Sequence, residues 1–209
     1  MQVSAILLSA GLSSRMRPLP HKGLLKWKGK TLIEHQIQML LNSNLSEIIV
    51  VLGHEAKEFF SITNRYPVKT VFNENYLQGK CSSIIKGLQS IDCASDMILI
   101  TAVDQPIDAT VINQLIQSLQ DSNSLIAIPI NNGKRGHPIL FSKNIIHALL
   151  SIREETQGLR NIIRQYENEI VEAVIDNTLV TQNINTPMDY RKALEITITS
   201  KVKEIIQNM

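Results

Sequence analysis

The sequence predicts an α/β fold with three layers (αβα), built on a mostly parallel, Rossmann-like sheet with an antiparallel addition. Apolar runs of strand length alternate with helical patterns along the 209 residues, and this alternation favours a parallel sheet covered on both faces. Two late apolar runs flank a turn at residues 131–136, which predicts a hairpin and hence the antiparallel addition. With no linker, repeat or low-complexity segment, one domain over residues 1–209 is the simplest organisation.

The predicted strands are continuous in apolar character, as expected for strands that are buried on both faces. The run that begins at Met97 is the most apolar, and the last two strands before residue 142 form the predicted hairpin. The strands are predicted at residues 3–9, 47–53, 68–73, 97–103, 125–130, 137–141 and 170–175.

The helices are predicted from apolar residues at helical spacing and from capping residues. Thr31, with Glu34 three residues later, forms a capping box for a helix that runs to about residue 42. Asp108 and Ser142 are expected to cap two later helices, and Pro187 suits the first turn of the C-terminal helix. Further helices are predicted at residues 55–61, from about residue 81, and at 156–166.

Composition narrows the classes of partner. The net charge of +2 is too small to indicate nucleic acid or an anionic membrane as the main partner. No apolar stretch reaches the roughly 18 residues that cross a bilayer, and the first apolar run lacks the preceding cations of a signal peptide. Cys81 and Cys93 have no metal-ligand spacing, so we interpret both as reduced thiols of a cytoplasmic protein.

The turn after the first strand is the predicted site of the chemistry. The strand stops at Gly11, hydroxyl residues follow, and Arg15 and Lys22 come next. Gly11 lets the backbone bend and approach a ligand, the N–H groups of such a turn carry partial positive charge, and the cations suit phosphate. The pattern predicts a bound nucleoside triphosphate; an ordinary loop with solvated cations is the alternative. The dinucleotide and Walker glycine patterns are both missing.

Two further features should join this turn, because open α/β sheets bind ligands at the carboxyl ends of their strands. Asp104 follows the most apolar strand, and a later aspartate is the expected helix cap. Asp104 is therefore available to hold Mg²⁺, alone or with an oxygen of Asn183 or Asn185. Ser82 and Ser83 fall in the first turn of a helix, where they contact a ligand or simply cap the helix.

The motifs also match a known family, in order, over nearly the whole chain. The segments resemble the nucleotidyltransferases with a glycosyltransferase-A-like fold and, more narrowly, the molybdenum cofactor cytidylyltransferases. The segments that carry the resemblance are LSAGLSSRM at 8–16, VVLGHEA at 50–56, NENYLQGKCSS at 73–83, DQP at 104–106, RGHPILF at 135–141 and NINTPMD at 183–189.

The resemblance implies a set of roles. Arg15, Lys22 and Asp104 would be the catalytic residues, of which the two cations neutralise the triphosphate and Asp104 holds Mg²⁺ with Asn183 or Asn185. Gly136 and His137 would lie toward the pterin substrate. The implied nucleotide-binding residues are Leu8, Ser9, Ala10, Gly11, Ser13, Ser14, Arg15, Lys22, Gly53, Ser82 and Ser83.

The implied reaction transfers CMP from CTP to the terminal phosphate of molybdopterin and releases pyrophosphate. The implied client, which receives the product, is a molybdenum hydroxylase. Ala10, where GTP-using relatives carry a second glycine, favours CTP. Arg17 departs from the family pattern and, with Pro18 and Leu19, is similar to sugar-phosphate and phosphocholine nucleotidyltransferases. The alternatives are therefore GTP with the same cofactor, CTP with another phosphomonoester, and a non-catalytic chaperone that delivers the cofactor.

Overall fold

The computed structural model describes residues 1–207, and side chains up to residue 197. The strands are β1 (Val3–Ser9), β2 (Lys26–Trp27), β3 (Lys30–Thr31), β4 (Glu47–Leu52), β5 (Lys69–Phe72), β6 (Met97–Ala102), β7 (Ile126–Asn131), β8 (Lys134–Arg135), β9 (Ile139–Ser142) and β10 (Ile170–Val174). The helices are α1 (Leu32–Leu41), α2 (Ala56–Thr63), α3 (Lys80–Leu88), α4 (Ala109–Gln120), α5 (Ile146–Leu150), α6 (Leu159–Gln165) and α7 (Pro187–Gln207).

The main sheet has the strand order β10-β7-β9-β6-β1-β4-β5, with β8 paired to β7. β1 lies between β6 and β4 and is parallel to both. β9 is antiparallel to β6 and also to β7, so the predicted hairpin partner lies inside the sheet and not at its edge. The prediction of a mostly parallel sheet with an antiparallel addition is confirmed.

Hydrophobic side chains pack against both faces of this sheet. Along β1, Ala5 and Leu7 belong to the cluster on one face, and Ile6 belongs to the cluster on the other. Residues of α1 and α4 cover the first face, whereas residues of α3 and α6 cover the second. The predicted three layers are thus confirmed, and the continuous apolar run of β1 follows from burial on both sides.

The predicted caps have different outcomes. The capping box at α1 is confirmed, since the Thr31 N–H donates to Glu34 Oε2 over 3.0 Å and the Glu34 N–H donates back to Thr31 Oγ1. Asp108 stands at the N-cap position of α4 but makes no side-chain cap, so that prediction is wrong. Its Oδ2 accepts instead from Asn177 Nδ2, at 2.8 Å. The Asp108 carboxylate therefore ties α4 to a distant segment.

Among the described residues, no helix combines the length and the apolar character needed to cross a bilayer.

Candidate active site

The chain bends at Gly11, directly after β1, as predicted. Gly11 does not have a positive φ, whereas Ser13, two residues later, has a left-handed backbone conformation with φ 52°. A Cβ added at Gly11 would have no atom within 4 Å, so this part of the backbone faces open space. The glycine therefore leaves the bend accessible to a ligand.

The open space is a cavity of about 400 Å³ at the carboxyl ends of β1 and β6. This volume falls in the range of small-molecule sites. Three parts of the chain form its wall: the turn after β1, the segment from Tyr76 into α3, and the residues that end β6. The structure brings together in this wall the predicted residues Leu8, Ser9, Ala10, Gly11, Ser13, Ser14, Arg15, Lys22, Ser83 and Asp104.

A polar network joins the two sides of this cavity. The Lys22 ammonium donates to Asp104 Oδ2 over 2.8 Å and to Asn185 Oδ1 over 2.7 Å. Arg15 Nη2 donates to the same Asn185 oxygen over 3.1 Å. The side chains of Lys22 and Asp104 are only 13% and 20% exposed, so their ion pair is partly shielded from solvent screening. The acid after β6 thus faces the cationic turn after β1 across one pocket.

The two asparagines predicted near the metal differ in their contacts. Asn185 Oδ1 and Asp104 Oδ2 both accept from the Lys22 ammonium, so the two oxygens lie close together. Asn183 Oδ1 instead accepts from Gln105 Nε2 over 2.8 Å. Among the described residues, no group of three or more His, Cys, Asp or Glu side chains is placed to hold a metal ion. A cation here would depend on one carboxylate, amide oxygens and non-protein ligands.

Two predicted binding residues lie outside the wall of the cavity and support it. A Cβ at Gly53 would lie 2.8 Å from Ala10 Cβ and 2.7 Å from Tyr76 Cβ, so the glycine permits close packing beneath the turn. The Ser82 hydroxyl donates to the Gly79 carbonyl oxygen over 2.9 Å. Ser82 therefore satisfies the backbone just before α3, and it does not cap the helix, whose N-cap residue is Gly79.

The predicted pterin-side residues, Gly136 and His137, also lie outside the cavity wall. A Cβ at Gly136 would lie 2.2 Å from the carbonyl oxygen of Val180, and the His137 N–H donates to that oxygen over 2.7 Å. Burial lowers the pKa of the His137 imidazole to about 4, with a smaller effect from the Lys80 charge. This segment is therefore held tightly against Val180, with a neutral histidine at neutral pH.

His21 is a residue of the cavity wall that the sequence reasoning missed. Its Nε2 donates to the Gly11 carbonyl oxygen over 2.7 Å, and its Nδ1 accepts from the Gly23 N–H over 3.3 Å. These contacts require the neutral imidazole with its hydrogen on Nε2, and burial lowers the pKa of His21 accordingly. His21 thereby fixes the back of the turn at Gly11. Only its position next to Lys22 could have indicated this role.

Lys80 is the second residue of the wall that was missed. It begins α3 and lines the cavity together with Arg15, Lys22 and Asp104. The described lining residues thus include three cations and one carboxylate. A pocket with an excess of positive charge favours a polyanionic ligand. The sequence contained a hint, since Lys80 lies directly before Cys81 in the motif that includes Ser82 and Ser83.

Comparison with known proteins gives consistent matches. The model of the MobA-like NTP transferase domain matches residues 5–170. The molybdenum cofactor cytidylyltransferase of Escherichia coli K12 is 28% identical over 194 residues, which are 92% of this chain and 96% of the relative. A probable molybdenum cofactor guanylyltransferase of Bacillus mycoides is 31% identical over 203 residues, or 91% of this chain and 94% of the relative.

The fold is shared with solved structures. A nucleotidyl transferase from Methanothermobacter superposes with a TM-score of 0.82 and 22% sequence identity, over 95% of this chain and 99% of the other. The likeness at this level concerns the fold, and it agrees with the three-layer architecture described above.

Proposed function

Because the chain belongs to the MobA-like NTP transferase family, it is a nucleotidyltransferase, and we propose that it transfers CMP from CTP to the terminal phosphate of molybdopterin. Pyrophosphate is the second product. The observation that carries the proposal is the network of Arg15, Lys22, Asp104 and Asn185 at the glycine-containing turn. In this network, Arg15 and Lys22 supply positive charge for a triphosphate, and the neighbouring carboxylate of Asp104 is suited to Mg²⁺.

The chemistry needs no general base from the protein. A terminal phosphate oxygen of the acceptor attacks the α-phosphorus of CTP and forms a new P–O bond. The bond from the α-phosphorus to the bridging oxygen breaks, and pyrophosphate leaves with that electron pair. A phosphate monoester has a second pKa of about 6, so it is already ionised at neutral pH. Arg15 and Lys22 would counter the charge that develops on the leaving group.

The donor set beside Lys22 fits Mg²⁺. This ion prefers oxygen ligands and is commonly held by one or two carboxylates, with water and substrate phosphates as further ligands. Asp104 and Asn185 already share one cation, the Lys22 ammonium, and would hold the metal ion. Asn183 Oδ1 already accepts from Gln105 Nε2, which leaves it one lone pair for a metal ion. The ion, when bound, would act as a Lewis acid on the triphosphate.

Ala10 supports CTP as the nucleotide. Its methyl group packs where Gly53 leaves space for it, at the floor of the turn, and a second glycine is the residue expected in GTP users. GTP is the second candidate, since a guanylyltransferase relative is 31% identical to this chain. Phosphocholine or a sugar phosphate would be alternative acceptors, because of the Arg17-Pro18-Leu19 segment. A molybdenum hydroxylase is the client that we propose for the product.

The proposal is tested by measuring pyrophosphate release. Wild-type protein is incubated with Mg²⁺, with each of CTP, GTP, ATP and UTP, and with molybdenum cofactor, phosphocholine or a sugar phosphate as the acceptor. The nucleotide-linked product is identified by mass spectrometry. We expect release with CTP that requires the cofactor. Release with GTP alone would overturn the choice of base, release only with another phosphomonoester would overturn the acceptor, and no release with any combination would overturn both.

A variant pair tests the role of Asp104. Asp104→Asn keeps an oxygen for Lys22 but removes the negative charge, so turnover should fall at least 100-fold, a loss of about 2.7 kcal/mol in transition-state stabilisation. Asp121→Asn is the matched control, because this aspartate is exposed at the end of α4. Near-normal turnover in Asp104→Asn would refute its proposed role.

A further inference from the structure

Lys80 lies in the wall of the pocket without a partner in contact. No hydrogen bond or salt bridge joins its ammonium to any side chain up to residue 197, the part of the chain whose side chains are described. Lys80 is exposed to solvent in the pocket, so an incoming anion can reach its ammonium directly. The protein maintains a charge here that its own groups do not neutralise by contact.

The carboxylates near Lys80 are already engaged by other donors. Asp104 Oδ2 accepts from the Lys22 ammonium over 2.8 Å. Glu154 Oε1 accepts from the Cys81 N–H over 2.6 Å, at the start of α3. Both acids act on Lys80 only through longer-range attraction. The wall therefore has room for an anion that arrives from outside the protein.

The position of Lys80 separates it from the other cations. Arg15 and Lys22 follow β1 and share the Asn185 oxygen, whereas Lys80 begins α3 and lies within electrostatic range of both Lys22 and His137. In an in-line displacement, the attacking and leaving oxygens lie on opposite sides of the α-phosphorus. Two separate groups of cations can therefore serve two separate phosphates.

We propose that Lys80 binds the phosphomonoester of the acceptor, while Arg15 and Lys22 hold the triphosphate. This assignment rests on the proposed function, and it adds to it a residue that selects and places the nucleophile. Because Lys80 would offset part of the charge repulsion between two phosphates, the acceptor could approach the α-phosphorus more closely.

Lys80→Met tests the assignment with a side chain of similar length and no charge. The acceptor KM should rise at least tenfold, while the KM for the nucleotide and the thermal shift that the nucleotide produces stay within twofold of wild type. The Tm of the ligand-free variant should stay within about 2 °C of wild type, because the side chain that is exchanged is exposed. Lys80→Arg keeps the charge and should recover part of the acceptor affinity.

Lys86→Met is the matched control, since Lys86 belongs to the same helix and is exposed. It should leave both KM values unchanged. A Lys80→Met enzyme with a raised nucleotide KM and an unchanged acceptor KM would assign Lys80 to the triphosphate and overturn the proposal. A fall of more than about 4 °C in the Tm of ligand-free Lys80→Met would show that the side chain supports the fold, and would overturn its assignment as a free binding group.

Inorganic phosphate separates this assignment from the choice of acceptor. With Mg²⁺ and the nucleotide that gives the largest thermal shift, added phosphate should raise the Tm of wild-type protein further, since a ligand of the folded state stabilises it. Lys80→Met should lose this increment and Lys86→Met should keep it. If wild-type protein turns over no molybdenum cofactor but keeps a Lys80-dependent phosphate shift, the proposed function fails and the phosphate site stands. An equal shift in Lys80→Met, or none in wild type, overturns the site.

Discussion

Substitution of Gly11 by alanine should separate the stability of the free protein from its affinity for nucleotide. A methyl group at this position would meet no atom within 4 Å, and the residue does not have a positive φ. Alanine is therefore accommodated, and it restricts the unfolded chain more than glycine does. The free energy of unfolding should stay unchanged or increase by up to about 1 kcal/mol. For a protein of this size, that is a rise in Tm of up to about 4 °C.

The affinity for nucleotide should change in the opposite direction. The space that the new methyl group enters is part of the cavity that Gly11 lines. If the nucleotide approaches the backbone there, the added group has to displace it, and overpacking of this kind is unfavourable by about 1–3 kcal/mol. The Kd for CTP should therefore increase by about 5-fold to 150-fold. Isothermal titration with CTP and Mg²⁺ measures the affinity, and differential scanning calorimetry measures the Tm.

Gly53→Ala provides the contrast. Its methyl group would lie 2.7 Å from Tyr76 Cβ and 2.8 Å from Ala10 Cβ, so the ligand-free protein itself should lose about 1–3 kcal/mol of stability. The reasoning about the turn is refuted if Gly11→Ala binds CTP with wild-type affinity. It is equally refuted if Gly11→Ala lowers the Tm of the free protein.

Three further predictions concern the rest of the molecule. Gly136→Ala places a methyl group 2.2 Å from the Val180 carbonyl oxygen, a backbone atom, so urea unfolding should show a loss of at least about 2 kcal/mol. Thr31→Ala removes the hydroxyl of the capping box and should lower the same quantity by about 1 kcal/mol. Burial lowers the pKa of His35 and His137 from 6.5 to about 4, so the unfolded chain binds protons more readily than the folded one. The free energy of unfolding should therefore be intact above pH 6.5 and fall toward pH 4. A urea midpoint that does not change with pH in this window would refute the lowered pKa values.

The sheet could be predicted from local patterns, but the order of its strands could not. Continuous apolar runs such as β1 and β6 are typical of strands with both faces covered, and the helical segments between strands indicate parallel pairing. The insertion of β9 between β6 and β7 depends on which edges meet in the assembled sheet. No residue within 139–142 carries that information alone.

The site shows the same division between local and long-range information. The turn, Lys22 and Asp104 could be found because small residues, cations and an acid follow buried strands. The local pattern at Asp108 predicts a helix cap. Its actual partner, Asn177, lies 69 residues away and cannot be inferred from that pattern. The importance of Lys80 was missed because it depends on its place in the wall of the pocket and on carboxylates that are engaged elsewhere, neither of which a motif reveals.

The contacts of Asn185 determine when the ligand site is completed during synthesis of the chain. Asn185 lies 163 residues after Lys22 and 170 residues after Arg15, and it holds both cations. Glu154 similarly fastens the start of α3 from 73 residues away. A nascent chain that has emerged only as far as Asp104 contains the turn and the acid but lacks the Asn185 oxygen that accepts from both cations. Ligand capture should therefore arise late in translation, after the segment that precedes α7 has left the ribosome.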